Sequence, residues 1–552
     1  MTLALLMLVP LAFAAAVIVR PAGHARSIAL AGTLLPLVLV GFALRSFEWG
    51  DAGNARQLGM TLAWLPEIGL SFSLGVDSVA LWLVVLTAIL GPLCVLGSWT
   101  AIGEHQRTFY AWLLILQAAM TGVFAARDLV LFYICFEFTL IPMYVLISMF
   151  GSTNRRKAAV KFFLFTFTGS MIALAGLVYI AWFTSRSAGS WTFDIGILTE
   201  HAHRMSPAEQ GAVLLAMLAG FAVKVPLFPV HTWLPLAHTE APTAGSVILA
   251  GVLLKLGTYA IYRFVLPFAP DAVVEYAPAI AVLCIIGILY AGLICWVQTD
   301  VKKLVAYSSV SHLGFCVLGL VAINTTGITG SVLYMINHGL STGALFFLVG
   351  FMYERYHTRS MRELGGLAAK MPVWGTFMVF FAMASVGLPG LNGFVSEFLC
   401  MLGTFQADEG WAAGGAPGAT WGVLGPWFAA AAGLGVIVAA MYLLYMVGRM
   451  CFGPLIEPAG HGDHGGHGAH GGGLPADLTA REIGVLLPLA ALCLVLGLYP
   501  TPLIRSIEAP IRDTVLLVQR GAGADPAGPG AAPTGEHAAA VRGGAELAEA
   551  GR

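Results

Sequence analysis

Apolar runs of about twenty residues recur along this chain almost to its end. A run of that length is what an α-helix needs to cross the ~30 Å hydrocarbon core of a bilayer. In lipid every backbone polar group must be paired within the structure, so such runs fold as helices. They can be marked at 2–20, 27–45, 76–98, 108–125, 128–150, 158–184, 211–235, 242–264, 273–297, 302–322, 329–353, 371–403, 425–452 and 481–504. The predicted fold class is an all-α polytopic membrane protein of about fourteen transmembrane helices. Only 10% of the 552 residues are charged, against about 25% in soluble domains. The formal net charge of −1 gives no electrostatic case for nucleic acid. The 8 cysteines are scattered through apolar runs with no CxxC, so they are expected to be inert buried thiols, with no metal, haem or iron–sulfur site. The first positive charge, Arg20, follows the first apolar run, which predicts a retained helix rather than a cleaved signal peptide.

Basic residues cluster after odd-numbered spans: Arg155, Arg156 and Lys157, then Lys302 and Lys303, then Arg355, Arg359, Arg362 and Lys370. The positive-inside rule puts these loops in the cytoplasm and both termini on the periplasmic side. The organisation expected is helices 1–3 over 1–100, a five-helix unit over 101–265, a second over 266–453, a His/Gly-rich loop over 454–480, the last transmembrane helix over 481–510 and a disordered tail over 511–552. His461, His464, His467 and His470 in that loop could bind a metal ion, but a solvated linker is the favoured reading, because nothing there is pre-organised.

Few ionisable residues lie inside the spans, and these carry the functional signal. Span seven has Lys224 and His231, seven residues apart and so expected on one helix face. Span eight has Lys255 in VILAGVLLKLG, with no acid within a turn or two. Span five has Glu137, span ten His312, span eleven His338 and span twelve Glu397, while Asp77 opens span three. Each charge at the bilayer centre costs at least ~2.5–3.5 kcal/mol on insertion scales. A static Glu137–lysine pair would account for two of them. It leaves Lys255 and Glu397 unexplained, and a buried ion pair is often no better than apolar packing.

Two spans are built to break. Pro226 and Pro229 cannot donate to the carbonyls of Ala222 and Val225, and Pro389 leaves Ser385 in the same position. Exposed carbonyls in a bilayer are tolerated only against protein or water, so each break predicts a small hydrated cavity, one near Lys224 and one near Glu397. Spans seven and twelve are each fourth in a set of five, 4–8 and 9–13, and an odd offset inverts the second set. Inverted repeats with discontinuous helices point to a transport site near the midplane. A buried lysine loses several pK units, and a carboxylate ~4 Å away restores about three at an effective dielectric of 20. Moving Glu137 relative to Lys224 would then switch a proton, with histidines as stations.

The stretches EFTLIPMY, KVPLFPVHTWLPLAHTEAPTAGSVILAGVLLKLG, QTDVKKLVAYSSVSHLG, INHGLSTGALFFLVG and LPGLNGFVSEF closely resemble the antiporter-like membrane subunits of respiratory complex I, the proton-pumping NADH:quinone oxidoreductase. The resemblance covers nearly all of residues 1–510 and extends to multisubunit cation/proton antiporters. It implies that Glu137 and Lys224 are the modulating pair, Lys255 the central relay, and His231, His312 and His338 the connecting histidines. The L and N types carry lysine in span twelve and the M type glutamate, so Glu397 implies the M type, subunit 4 in mitochondria. The long amphipathic C-terminal helix of the L type is not expected. The resemblance further implies a non-redox subunit of a bacterial inner-membrane translocase that is not functional as a monomer. FMN, iron–sulfur clusters and quinone would be held by partner subunits and no cofactor by this chain, with other membrane-arm subunits on both flanks and the lipid bilayer around it. The rival readings are a sodium/proton antiporter subunit, which shares the fold and the lysines, and a quinone-binding enzyme, which would place its ionisable groups near an interface.

Overall fold

The computed structural model describes residues 1–54, 57–413, 418–458 and 476–521. The four loop histidines, and the part of the expected tail beyond 521, lie outside the described residues.

The chain opens with α1 (Thr2–Val19) and α2 (Ala25–Ser46), then a hairpin of β1 (Gln57–Leu65) and β2 (Leu70–Val76). Next come α3 (Ser78–Gly97), α4 (Gln106–Ala125), α5 (Leu129–Phe138), α6 (Leu140–Phe150), α7 (Arg155–Ala188), α8 (Ile195–Ala202), α9 (Pro207–Lys224) and α10 (Leu234–Glu240). One continuous span follows as α11 (Thr243–Ile248), a π-turn at Leu249–Leu253, α12 (Leu254–Ala260), a second π-turn at Ile261–Val265 and α13 (Leu266–Phe268). The rest is α14 (Pro270–Trp296), α15 (Val301–Val321), α16 (Thr325–Tyr356), α17 (Pro372–Val386), α18 (Asn392–Gln406), α19 (Glu409–Ala413), α20 (Pro426–Cys451), α21 (Ala480–Leu498) and α22 (Thr501–Gly521). Among the described residues twelve helices are long and apolar enough to cross a membrane. Side-chain caps fix where several begin. Asp77, Asp128, Asp300 and Asn324 accept first-turn N–H groups of α3, α5, α15 and α16, and capping boxes start α9 and α21.

The helices differ in what they face. The most hydrophobic stretches of α11–α13 and α16 are wholly buried and that of α15 nearly so, whereas less than a third of those of α1 and α21 is buried. The spans that carry Lys255, His312 and His338 therefore form the centre of the bundle and do not meet lipid.

Two helices are interrupted where the prolines predict. Helix α9 stops at Lys224 and helix re-forms at Leu234. The freed carbonyls are met by protein rather than solvent: Leu227 N–H donates to Ala222 (2.9 Å) and the Trp233 indole N–H to Val223 (2.9 Å). Helix α17 ends at Val386 and α18 begins at Asn392. The two broken helices run in opposite senses. Gln210, early in α9, bonds Asp271 (2.9 Å), and Glu240, closing α10, takes Ser152 Oγ (2.6 Å) at the end where Lys302 and Arg359 also lie. Helix α17 starts at that same end, beside Asp477, and α18 finishes near Asn324 at the other.

Two elements depart from expectation. Residues 57–76 form an antiparallel hairpin, with Gln57 opposite Val76 and Leu65 opposite Leu70. Its turn ends on Gly69, whose φ of 70° and contact with the Trp191 carbonyl exclude a Cβ. Residues 511–521, expected as the start of a disordered tail, belong to α22 instead. Leu503, Ile507, Ile511, Val515 and Val518 make one buried stripe, the pattern of an amphipathic helix. Trp82 Nε1 donates to Ser506 Oγ (2.8 Å) and Arg512 pairs with Asp51 (2.9 Å), pinning α22 beside the hairpin end of the bundle.

Candidate functional site

Lys255 is fully buried. The π-turn before it explains how a cation is held there. Leu254 N–H bonds Leu249 O, five residues back, so the carbonyl of Ala250 loses its α-helical donor. Lys255 Nζ takes that place, donating to Ala250 O. Its second partner is His338 Nδ1, 2.7 Å away on α16. Gly339 allows the approach, since a Cβ there would meet Gly251 O at 2.8 Å; a Cβ on Gly251 would instead meet Leu90 on α3. Small residues at a helix crossing let backbones come this close.

From His338 the acid–base groups continue on neighbouring helices. Tyr334 and His338 are one turn apart on α16, and the His338 and His312 ring centroids are 5.9 Å apart. His312 Nδ1 lies 3.1 Å from Glu397 Oε1 on α18. Tyr334 Oη donates to the same Glu397 oxygen and lies 2.6 Å from His312 Nδ1, while Tyr442 Oη on α20 sits 3.3 Å from His312 Nε2. Because Tyr334 has one hydrogen and gives it to Glu397, its contact with His312 requires a proton on Nδ1. Gly387, at φ 83°, leaves room for Glu397: a Cβ there would lie 2.8 Å from the carboxylate.

The gap between the two histidines is tight. The space enclosed by His312, Tyr334, His338, Ser341, Thr342 and Ser385 admits no water-sized sphere, and among the described residues His338 Nε2 and Ser385 Oγ have no hydrogen-bond partner. The hydrated cavity expected at the second break is therefore closed in this conformation. At the first break the large space, about 640 Å³, is an outward groove lined by apolar side chains such as Leu164, Phe228 and Pro229, not a hydrated pocket at Lys224.

Lys224, Glu137 and His231 stand apart from this cluster. Lys224 Nζ donates to Thr139 Oγ1 (3.3 Å) and lies 4.6 Å from the centroid of the Phe136 ring. No ion pair within 4 Å joins it to Glu137 among the described residues, although the two charges still feel each other, and Ser170 is the polar side chain beside the Glu137 carboxylate. The shared helix face expected for Lys224 and His231 does not exist, because α9 ends at Lys224; the His231 ring packs against Phe228 and Tyr290. Gly257 brings α12 against the end of α9, where a Cβ would meet Val225 and Lys224, yet no hydrogen bond links the two lysines.

Several buried groups escaped the sequence reading. His238 is fully buried against Phe346, ring centroids 4.6 Å apart, with neither nitrogen partnered. It was legible by the argument that found His231, as a titratable residue in an apolar run. Lys302, read as a loop charge, is buried and donates to Ala241 O (2.6 Å). With Glu240, Glu354 and Arg359 it lines a cavity of about 600 Å³ at the end of the bundle that carries the basic loops. Tyr334 and Tyr442 gave no signal, since tyrosines are common in membrane helices.

Residues 126–416 match the NADH:quinone oxidoreductase/Mrp antiporter transmembrane family. The chain is 38% identical to NADH-quinone oxidoreductase subunit M of Rhodobacter capsulatus over 90% of its own length and 93% of that protein's. It is 36% identical to NADH-ubiquinone oxidoreductase chain 4 of Marchantia polymorpha over 94% and 97%. Among solved structures it resembles a chain of respiratory complex I from Thermus thermophilus with bound NADH, at TM-score 0.79 and 29% identity, covering 94% of this chain and all of that one. The buried lysine, the two broken helices and these relatives place the chain in the NADH:quinone oxidoreductase/Mrp antiporter transmembrane family, among its subunit M and chain 4 members.

Proposed function

We propose that this chain is a non-redox subunit of a proton-translocating NADH:quinone oxidoreductase and carries protons across a bacterial plasma membrane. The observation that carries the reading is the run of acid–base side chains Lys255, His338, His312 and Glu397, contributed by four helices in the centre of the bundle. A protonated Lys255 hands its proton to His338 Nδ1. His338 passes one to His312 once the gap between their rings opens, and His312 passes one from Nδ1 toward Glu397 or Tyr334. Glu397 releases it to the periplasm. The opposed senses of the two broken helices support two inverted half-channels. The basic ends at Arg155, Lys302 and Arg355 support a cytoplasmic entry and periplasmic termini. Lys224 and Glu137 lie beside the run; transfer from Lys224 to Lys255 needs water to enter past Gly257.

Electron transfer through flavin, iron–sulfur clusters and quinone belongs, in this reading, to other subunits, with membrane-arm neighbours on both flanks. The test is proton uptake by vesicles holding the whole complex. Glu397→Gln should leave the complex assembled and lower proton uptake per NADH oxidised; an unchanged ratio and turnover would remove Glu397 from the exit. Sodium-dependent transport that persists without NADH would select the antiporter reading instead.

A further inference from the structure

A further cavity lies away from the relay. It is a groove of about 650 Å³ between α3, α16, α21 and α22, within the range that ligand-sized molecules occupy. Its polarity is one-ended. Among the described residues Arg505 is its sole charged side chain, and Ser506 beside it is held by the Trp82 indole. From Trp82 to Ile89 the groove runs down seven residues of helix, about 10 Å, past Leu86, Ile336, Leu340 and Val495. Trp49, Trp82 and Tyr499 ring the charged end, the positions aromatic side chains take at a membrane–water interface. Arg505 stands on α22 next to Ser506, at that same end. Its neighbour Arg512 is paired with Asp51, whereas Arg505 has no ion pair or hydrogen bond among the described residues.

A site with one cationic end and a long apolar body matches an amphiphile with an anionic head. A soluble ligand would need polar partners along its length, and a zwitterionic headgroup would bring its own cation to Arg505. We propose that this groove binds one anionic phospholipid, phosphate on Arg505 and an acyl chain between α3, α16 and α21. The chain would lie against Ile336 and Leu340, which flank His338 on α16, so the lipid completes the packing of the helix that holds the Lys255 contact. The inference rests on the membrane fold and the groove, and does not depend on the proposed proton transfer.

The test uses the whole complex in lipid nanodiscs doped with phosphatidylglycerol or phosphatidylcholine, each with a photoreactive acyl chain, and maps crosslinked peptides. The expected result is crosslinking within 82–89 and 492–506 by phosphatidylglycerol in preference to phosphatidylcholine. Arg505→Gln should cut the phosphatidylglycerol signal about fivefold, the factor one basic side chain supplies at an anionic lipid surface. Val495→Trp, at an exposed groove position, should reduce both signals. Equal labelling by the two lipids, no change in Arg505→Gln, or side chains of a neighbouring subunit found filling the groove would each overturn the proposal.

Discussion

His338 Nδ1 lies 2.7 Å from Lys255 Nζ, and Lys255 has its other partner in a carbonyl that a π-turn releases from the helix. A cation this deeply buried is tolerable only with such partners. The backbone irregularity and the lysine are therefore one device. Lys255→Met keeps the length of the side chain but leaves Ala250 O and His338 Nδ1 unpaired, each costing about 1–3 kcal/mol. The complex should still assemble at lower thermal stability. Proton uptake should fall by about 10²-fold or more, the scale of one lost acid–base group. Uptake within a factor of two of wild type, measured in vesicles, would take Lys255 out of the path.

The contact also depends on a residue with no chemistry of its own. Gly339→Val would drive a side chain into Gly251 O, 2.8 Å from an added Cβ, and push α16 off the π-turn. Overpacking of this kind costs about 1–3 kcal/mol. The expected outcome is a complex that oxidises NADH with a reduced proton-to-electron ratio although every titratable side chain is present. A normal ratio would show that the Lys255–His338 spacing is not critical.

The hydroxyl of Tyr334 bridges His312 and Glu397. Tyr334→Phe removes the bridge with little change of volume. A hydrogen bond to a charged group contributes about 1.5–3 kcal/mol, so a fall of roughly tenfold to a hundredfold in proton flux is expected. Proton uptake against NADH oxidation is the measurement, with Tyr442→Phe, whose 3.3 Å contact is longer, expected to act more weakly.

Much of this site could be read from the sequence because membrane burial makes ionisable residues rare. Lys255, His312, His338 and Glu397 were each visible as lone titratable groups in apolar runs, and they do meet. What the sequence could not supply was how the chain bends between them. Lys224 and His231 share a helix face only if the helix continues past Val225, and it does not, so spacing misplaced His231. The first π-turn is packed against Gly339 and Leu90, and no local pattern announces it. Helix α22 was legible in principle. Its apolar residues repeat every three or four positions from Leu503 to Val518, but the Ala-, Gly- and Pro-rich sequence that follows extends a tail reading back over 511–521.

Glu137 and Lys224 show a different gap. The carboxylate lies beside Ser170, outside ion-pair distance of Lys224, which is held by Thr139 and Phe136. Such a separation leaves the lysine free to respond to a charge brought closer. Lys224→Ala and Glu137→Ala should each reduce proton uptake strongly in an assembled complex. Wild-type uptake in either would end the modulating role of the pair.

The space between His312 and His338 is the one interruption in the run from Lys255 to Glu397. It admits no water now, so proton passage there requires the rings or their lining to move. Ala384 lines that space and is fully buried. Ala384→Val adds two methyl groups where motion is needed and changes no acid or base. A strain of about 1–3 kcal/mol in the open state corresponds to a roughly fivefold to hundredfold slowing of the step. Proton uptake should fall while the complex remains intact by size-exclusion chromatography, and Ala384→Gly, which makes room, should not reproduce the loss. If both variants pump like wild type, protons do not cross between His338 and His312, and the path to Glu397 must be sought elsewhere in the bundle.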